Sequence, residues 1–185
     1  KEALYTVTTA ANNTAVGNQA LYNNAGASNT AVGSGALAGN TTGATNVAVG
    51  DAALTANTTG AGNTAVGHDS SLSMTTGGEN TSLGINSLRV ATTGSFNTAI
   101  GGGALQNTTT ASNNTSVGYN SLLSNTTGSG NTAVGVVTLD ANTTGADNTA
   151  VGYGALGANT TGVENTSMGN NSLDANSTGS YNTAL

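Results

Sequence analysis

The chain has 185 residues, of which 5% are charged and 3% aromatic, with 28 glycines, no proline, no cysteine and a formal net charge of −6. The acidic balance excludes a nucleic-acid surface, which needs clustered cations to displace counterions. The missing cysteines exclude a disulfide framework and a thiolate metal centre, and no apolar run is long enough for a membrane-spanning helix. Disorder does not fit either, because disordered chains are usually rich in charge and proline.

In chain order the sequence is one short unit written many times. Residues 1–12 form a partial repeat, with Ala3 and Leu4 standing where later units carry Ala-Leu. An asparagine then recurs at Asn13, Asn29, Asn46, Asn63, Asn80, Asn97, Asn114, Asn131, Asn148, Asn165 and Asn182, first after 16 residues and thereafter always after 17. With that asparagine as position 1 the unit reads N-T-A-V-G-x-x-A-L-x-x-N-T-T-G-x-x. Residues 13–181 hold the repeats, and residues 182–185 begin another.

Position 3 is always small and position 4 always aliphatic, as in Ala65 and Val66 or Ala133 and Val134. Gly fills position 5 in every complete repeat, including Gly67 and Gly135, and Leu fills position 9, as at Leu139, except where Ser71 takes the place. Glycines at two corners allow the bends a coil needs, and the absence of proline suits a backbone whose N–H groups all join a ladder. The pattern predicts one all-β domain over 1–185: a parallel β-solenoid (β-roll) of about eleven coils, about 50 Å long at the usual strand spacing. Strands are expected at positions 2–4 and 7–9, with a further one over 12–14.

Like residues then stack over like. Columns such as Asn63, Ala65, Val66, Gly67 and Asn131, Ala133, Val134, Gly135, Leu139 form the structural frame, and the asparagines are expected to make amide ladders. Stacked charges would repel, and the acidic and basic residues of the complete repeats avoid these columns: they fall at positions 6, 7, 10 or 17, the expected solvent edges. Positions 3 and 4 are neighbours in a strand and point to opposite faces. Small residues in a thin interior would leave the Val and Leu columns outside against a partner; the opposite arrangement gives a self-sufficient rod. A long exposed apolar stripe needs a cover, which favours the partner.

These "NTAVG…AL" coils resemble the β-roll heads of trimeric autotransporter adhesins, with their "NSVAIG"-type motifs. They also resemble the NTAxG-AL-NTTG arrays of bacterial and phage fibre proteins that end in an endosialidase-type chaperone domain. The resemblance covers nearly the entire chain, although the adhesin-head repeat is shorter. It implies left-handed parallel coils, homotrimers and extracellular or virion attachment.

Joined tail to head, the two chain ends complete a repeat lacking only its position-5 Gly. Two readings follow: copies stack end to end through Lys1, Ala3, Leu4, Thr183, Ala184 and Leu185, or the chain is an excerpt of a longer array.

Few residues carry chemistry. His68 stands above Asp51 and beside Asp69, most simply as a solvated edge residue with charge partners. Asp147 and Glu164 share position 17 on adjacent coils, yet a hard cation wants six or more oxygens. Gly101–Gly102–Gly103 lacks the lysine and strand-to-helix context of a phosphate loop. Tyr119 and Tyr153 share a column two coils apart and read as isolated exposed rings or as contacts for sugar or a surface. Sequons such as Asn57-Thr58-Thr59 and Asn142-Thr143-Thr144 follow from the repeat itself. No catalytic residue, metal or cofactor is expected. The sequence points to a non-enzymatic subunit of an extracellular filament whose main partner is itself. The alternatives are a trimeric adhesin head or phage-fibre segment binding a host glycan or protein, and ice binding through its Thr columns.

Overall fold

A computed structural model describes residues 2–5 and 10–185; Lys1 and residues 6–9 lie outside the described residues. It contains eleven short strands, from β1 (Thr14–Val16) through β4 (Thr64–Val66) and β8 (Thr132–Val134) to β11 (Thr183–Ala184). They form one sheet in sequence order. Every pairing is parallel and in register, so Val66 lies on Leu83, then Ile100, Val117 and Val134 in an unbroken line. The 17-residue period thus becomes one coil of a parallel β-solenoid, and the described residues contain no helix.

Among the described residues only positions 2–4 are strands. The expected strand at 7–9 is absent because positions 7 and 9 are left-handed: Gln19 has φ 57°, Leu21 52°, Asn120 53° and Leu122 52°. The expected strand at 12–14 is replaced by bends, as at Thr58 and Thr59. Ladder bonding nevertheless continues around the coil. Leu37 N–H donates to the Ala53 carbonyl at 3.0 Å, and Thr58 N–H to the Thr75 carbonyl at 2.9 Å. Coils are therefore tied to one another through turns as well as through the sheet.

The turn at positions 7–9 also settles what fills the interior. Ala65 and Ala133 point inward and are fully buried, while Val134 on the other face of its strand is 36% exposed. Strand alternation therefore holds for the Val column, which lies outside. The Leu column separates from it: Leu21, Leu37, Leu54, Leu88, Leu105, Leu122, Leu139 and Leu156 are buried. The two apolar columns are not on one side, because two left-handed residues re-aim position 9 into the coil. The core is Ala or Ser at position 3, Ala or a small hydroxyl residue at position 8, and Leu, or Ser71 in one coil, at position 9.

Glycine at position 5 is imposed by the stacking. Gly67 has φ +136°, and a Cβ there would stand 2.6 Å from the carbonyl oxygen of Gly84 in the next coil. Any side chain at that corner would separate the coils.

Candidate functional site

Two columns of asparagine amides connect the coils. At position 1, Asn63 N–H donates to Asn46 Oδ1 at 2.9 Å, and Asn80 N–H to Asn63 Oδ1 at 3.0 Å. The same bonds recur at Asn131 and Asn148. Each Nδ2 also crosses its own coil to the position-15 carbonyl, as in Asn63 to Gly77 at 2.8 Å and Asn131 to Gly145 at 2.9 Å. One amide thus caps a backbone N–H of the following coil and pins a corner of its own. Buried polar groups are tolerated only when satisfied in this way.

The second column, at position 12, was only partly legible. Asn40 Nδ2 donates to Asn24 Oδ1 and Asn57 Nδ2 to Asn40 Oδ1, at 2.6 and 2.7 Å. A second block runs through Asn125, Asn142 and Asn159, at 3.0 Å per step. Between the blocks the column holds Met74, Ala91 and Thr108. Threonines at position 13 add a third ladder: Thr58 Oγ1 donates to the Thr75 carbonyl, and Thr143 Oγ1 to that of Thr160.

On the outer face of the sheet the chemistry differs. The position-2 threonines, among them Thr64, Thr98 and Thr132, make no side-chain hydrogen bond among the described residues. The Val column runs beside them and is exposed or half-buried from Val16 to Met168. The result is an uncharged strip of free hydroxyls and methyls along the sheet.

The structure gathers some of the chemistry-bearing residues and separates others. His68 Nε2 lies 3.6 Å from Asp51 Oδ2, and Nδ1 lies 3.7 Å from Asp69 Oδ1. Arg89 Nε donates to Asp69 Oδ2 at 3.3 Å, joining the same cluster, in which Asp69 is half-buried. Such surface pairs contribute at most about 1 kcal/mol. Asp147 leans onto Gly130 in the coil below. No group of three or more His, Cys, Asp or Glu able to hold a metal ion occurs among the described residues. The amides of Asn57 and Asn142 are buried and hydrogen-bonded, so neither sequon presents its nitrogen outside the folded coil.

The residues expected at end contacts lie at opposite ends of the stack. Leu4 N–H donates to the Ala20 carbonyl at 3.0 Å, and Tyr5 stacks on Tyr22 with ring centroids 5.1 Å apart. Ala3 is exposed. Thr183 and Ala184 pair with Thr166 and Ser167, and Leu185 is exposed. Lys1 falls outside the described residues.

Two features escaped the sequence pattern. A shallow groove of about 290 Å³ is lined by Gln19, Tyr22, Asn23, Ala38, Gly39 and Thr55. Asp140 and Asp174, two coils apart at position 10, both approach Gly157: the site of a Cβ there is 2.8 Å from Asp174 Oδ1 and 3.6 Å from Asp140 Oδ1. Partial burial, with a smaller contribution from Asp174, raises the Asp140 carboxyl above its ordinary range. The signal for the pair was present in the sequence: two acids flanking a glycine at one column position.

The fold and its columns define a tandem-repeat parallel β-solenoid. No protein-family model matches the chain, and comparisons with curated proteins and with solved structures return no match.

Proposed function

We propose that the chain is a non-enzymatic structural subunit of an extracellular filament or surface fibre, in which β-solenoid coils continue end to end. The observation supporting this reading is the uniformity of the interface between coils. From β1 to β11 each coil offers the next the same position-1 Asn amide and strand edge in the same register, and from Thr41 to Thr160 the same Thr hydroxyl. In such a quasi-one-dimensional chain, stability grows by nearest-neighbour contacts and length costs nothing in new chemistry. The likeness of the coils to adhesin heads and phage-fibre arrays supports an extracellular or virion location. Negative-stain electron microscopy of the purified protein across a concentration series tests it. Filaments of constant width that lengthen with concentration are expected; short rods of one length at every concentration sink the end-to-end reading.

A second reading, a homotrimeric fibre segment that meets a host surface, is favoured by the exposed Val column. An apolar row running the length of a rod is usually covered. Light scattering on dilute protein should then give three times the 17.6 kDa chain mass. Val134→Asp should dissociate that assembly without altering the circular-dichroism spectrum, because position 4 points away from the core.

A further inference from the structure

The position-6 column changes character along the rod. In the coils beginning at Asn29, Asn46 and Asn63 it carries Ser34, Asp51 and His68; in the next five it carries Ile85, Gly102, Tyr119, Val136 and Tyr153. The four of these with large side chains are well exposed: Ile85 57%, Tyr119 60%, Val136 41% and Tyr153 59%. Leu83, Ile100, Val117, Val134 and Val151 at position 4 run alongside, with only the position-5 glycines between. Five consecutive coils thus present an uncharged stripe about 20 Å long at strand spacing, bearing two aromatic rings.

The rings are held by rigid backbone. The Tyr119 main-chain carbonyl accepts a hydrogen bond from Val137 N–H at 3.0 Å, and the Tyr153 carbonyl one from Asn171 N–H at 2.8 Å. The Tyr119 ring leans along the rod over Gly102, its Cδ2 3.6 Å from where a side chain there would begin. Beside the stripe at position 7, the amides of Asn120 and Asn171 lean onto Gly103 and Gly154 and supply hydrogen-bonding groups next to the rings.

We propose that this stripe binds an extended, neutral β-1,4-linked polysaccharide, with Tyr119 and Tyr153 stacking on every second sugar. Three observations carry the choice of ligand. The rings are two coils apart, about 9.5 Å at strand spacing, close to one disaccharide of an extended β-1,4 chain. Successive sugars in such a chain are turned over, so the same apolar C–H face returns at each second unit, where a ring waits. The stripe lacks charge, which matches a neutral polymer, and its fixed backbone leaves little conformational entropy to lose on binding. This site is independent of the filament reading: a rod that fails to bind glycan remains a rod.

The test is co-sedimentation of the purified chain with microcrystalline cellulose and with chitin, using α-linked starch granules as the contrast. Retention on at least one β-1,4 polymer and not on starch is expected. Tyr119→Ala and Tyr153→Ala should each weaken retention roughly tenfold, in line with loss of one stacking contact, whereas Tyr181→Ala at position 17 should change nothing. The pair Tyr153→Val with Val136→Tyr moves the rings to one-coil spacing and should lose retention while keeping both aromatics. All these side chains are exposed, so circular dichroism and the thermal midpoint should stay at parental values. Failure to bind either β-1,4 polymer overturns the proposal, as does equal binding to starch, or unchanged retention in the ring-deleted or ring-moved variants.

Discussion

The asparagine columns at positions 1 and 12 use the same amide chemistry, but they tolerate interruption differently. The position-1 column runs through every coil. The position-12 column stops for the three coils spanning residues 63–113, where Met74, Ala91 and Thr108 stand in for asparagine. The hydrogen bonds explain the difference. A position-1 amide oxygen receives a backbone N–H from the next coil, so deleting it strands a main-chain donor inside the protein. A position-12 oxygen such as Asn142 Oδ1 receives only the side-chain amide above it, which keeps a second acceptor at position 15. Asn24, in the shorter first coil, also takes Gly26 N–H and Asn29 Nδ2.

Interruption still leaves a mark. Asn57 Oδ1, facing Met74, is the one buried side-chain oxygen or nitrogen without a partner among the described residues. The central coils compensate with other contacts. Ser70, Ser71, Ser82 and Ser87 share hydroxyl bonds of 2.7 to 3.0 Å, and Asn80 Nδ2 reaches Met74 Sδ at 3.9 Å. The corner adapts as well. In the coils that carry asparagine a Cβ at position 15 would strike the amide as well as the next coil's carbonyl, as at Gly128, where the Gly145 carbonyl oxygen is nearest and Asn125 Oδ1 follows at 2.6 Å. The Thr108 coil is the one that carries alanine there, Ala111. Gly77 and Gly94 remain glycine beside Met74 and Ala91, so asparagine at 12 requires glycine at 15 but glycine does not require asparagine.

The largest expected effect comes from breaking the continuous column. Asn114→Ala removes the acceptor of Asn131 N–H and should cost roughly 2–4 kcal/mol in chemical denaturation. Asn142→Ala should cost about half as much, since no backbone group is stranded; equal losses would erase the distinction between the columns. A second experiment fills the gap. Met74→Asn alone gives Asn57 a donor but moves the orphaned oxygen up one coil, beneath Ala91. Adding Ala91→Asn, Thr108→Asn and Ala111→Gly joins the two blocks, and should make the four-fold variant about 1–3 kcal/mol more stable than the single one.

A third experiment isolates the corner. Thr108→Asn should destabilise by itself and recover when Ala111→Gly is added, with a coupling of about 1–2 kcal/mol in a double-mutant cycle. Additivity would show that the two positions do not share space. The smallest effect is expected outside the columns, at Asp140. Its carboxyl is raised in the folded chain by burial first and by Asp174 last, so the native state binds its proton more tightly than the unfolded one. Stability therefore falls as pH rises from the ordinary aspartate range through the raised folded value. Asp140→Asn should lift the thermal midpoint slightly at neutral pH and leave it unchanged in acid, where both states are protonated.

By itself the sequence determined the period, the all-β parallel stacking and the identity of each column. These follow because only residues that recur at a fixed interval can sit over one another at strand spacing, and only glycine fits where two corners nearly touch. It also placed His68 against Asp51 and Asp69, and Tyr119 in line with Tyr153, since both relations need nothing beyond column arithmetic. The tertiary structure alone decided which apolar column is core. Alternation of side chains holds only within Thr132–Val134, and the left-handed residues that follow turn Leu139 inward while Val134 stays outside. Those backbone angles belong to leucines and asparagines as readily as to glycines in this stack. They are held there by bonds to neighbouring coils, which a single repeat does not possess.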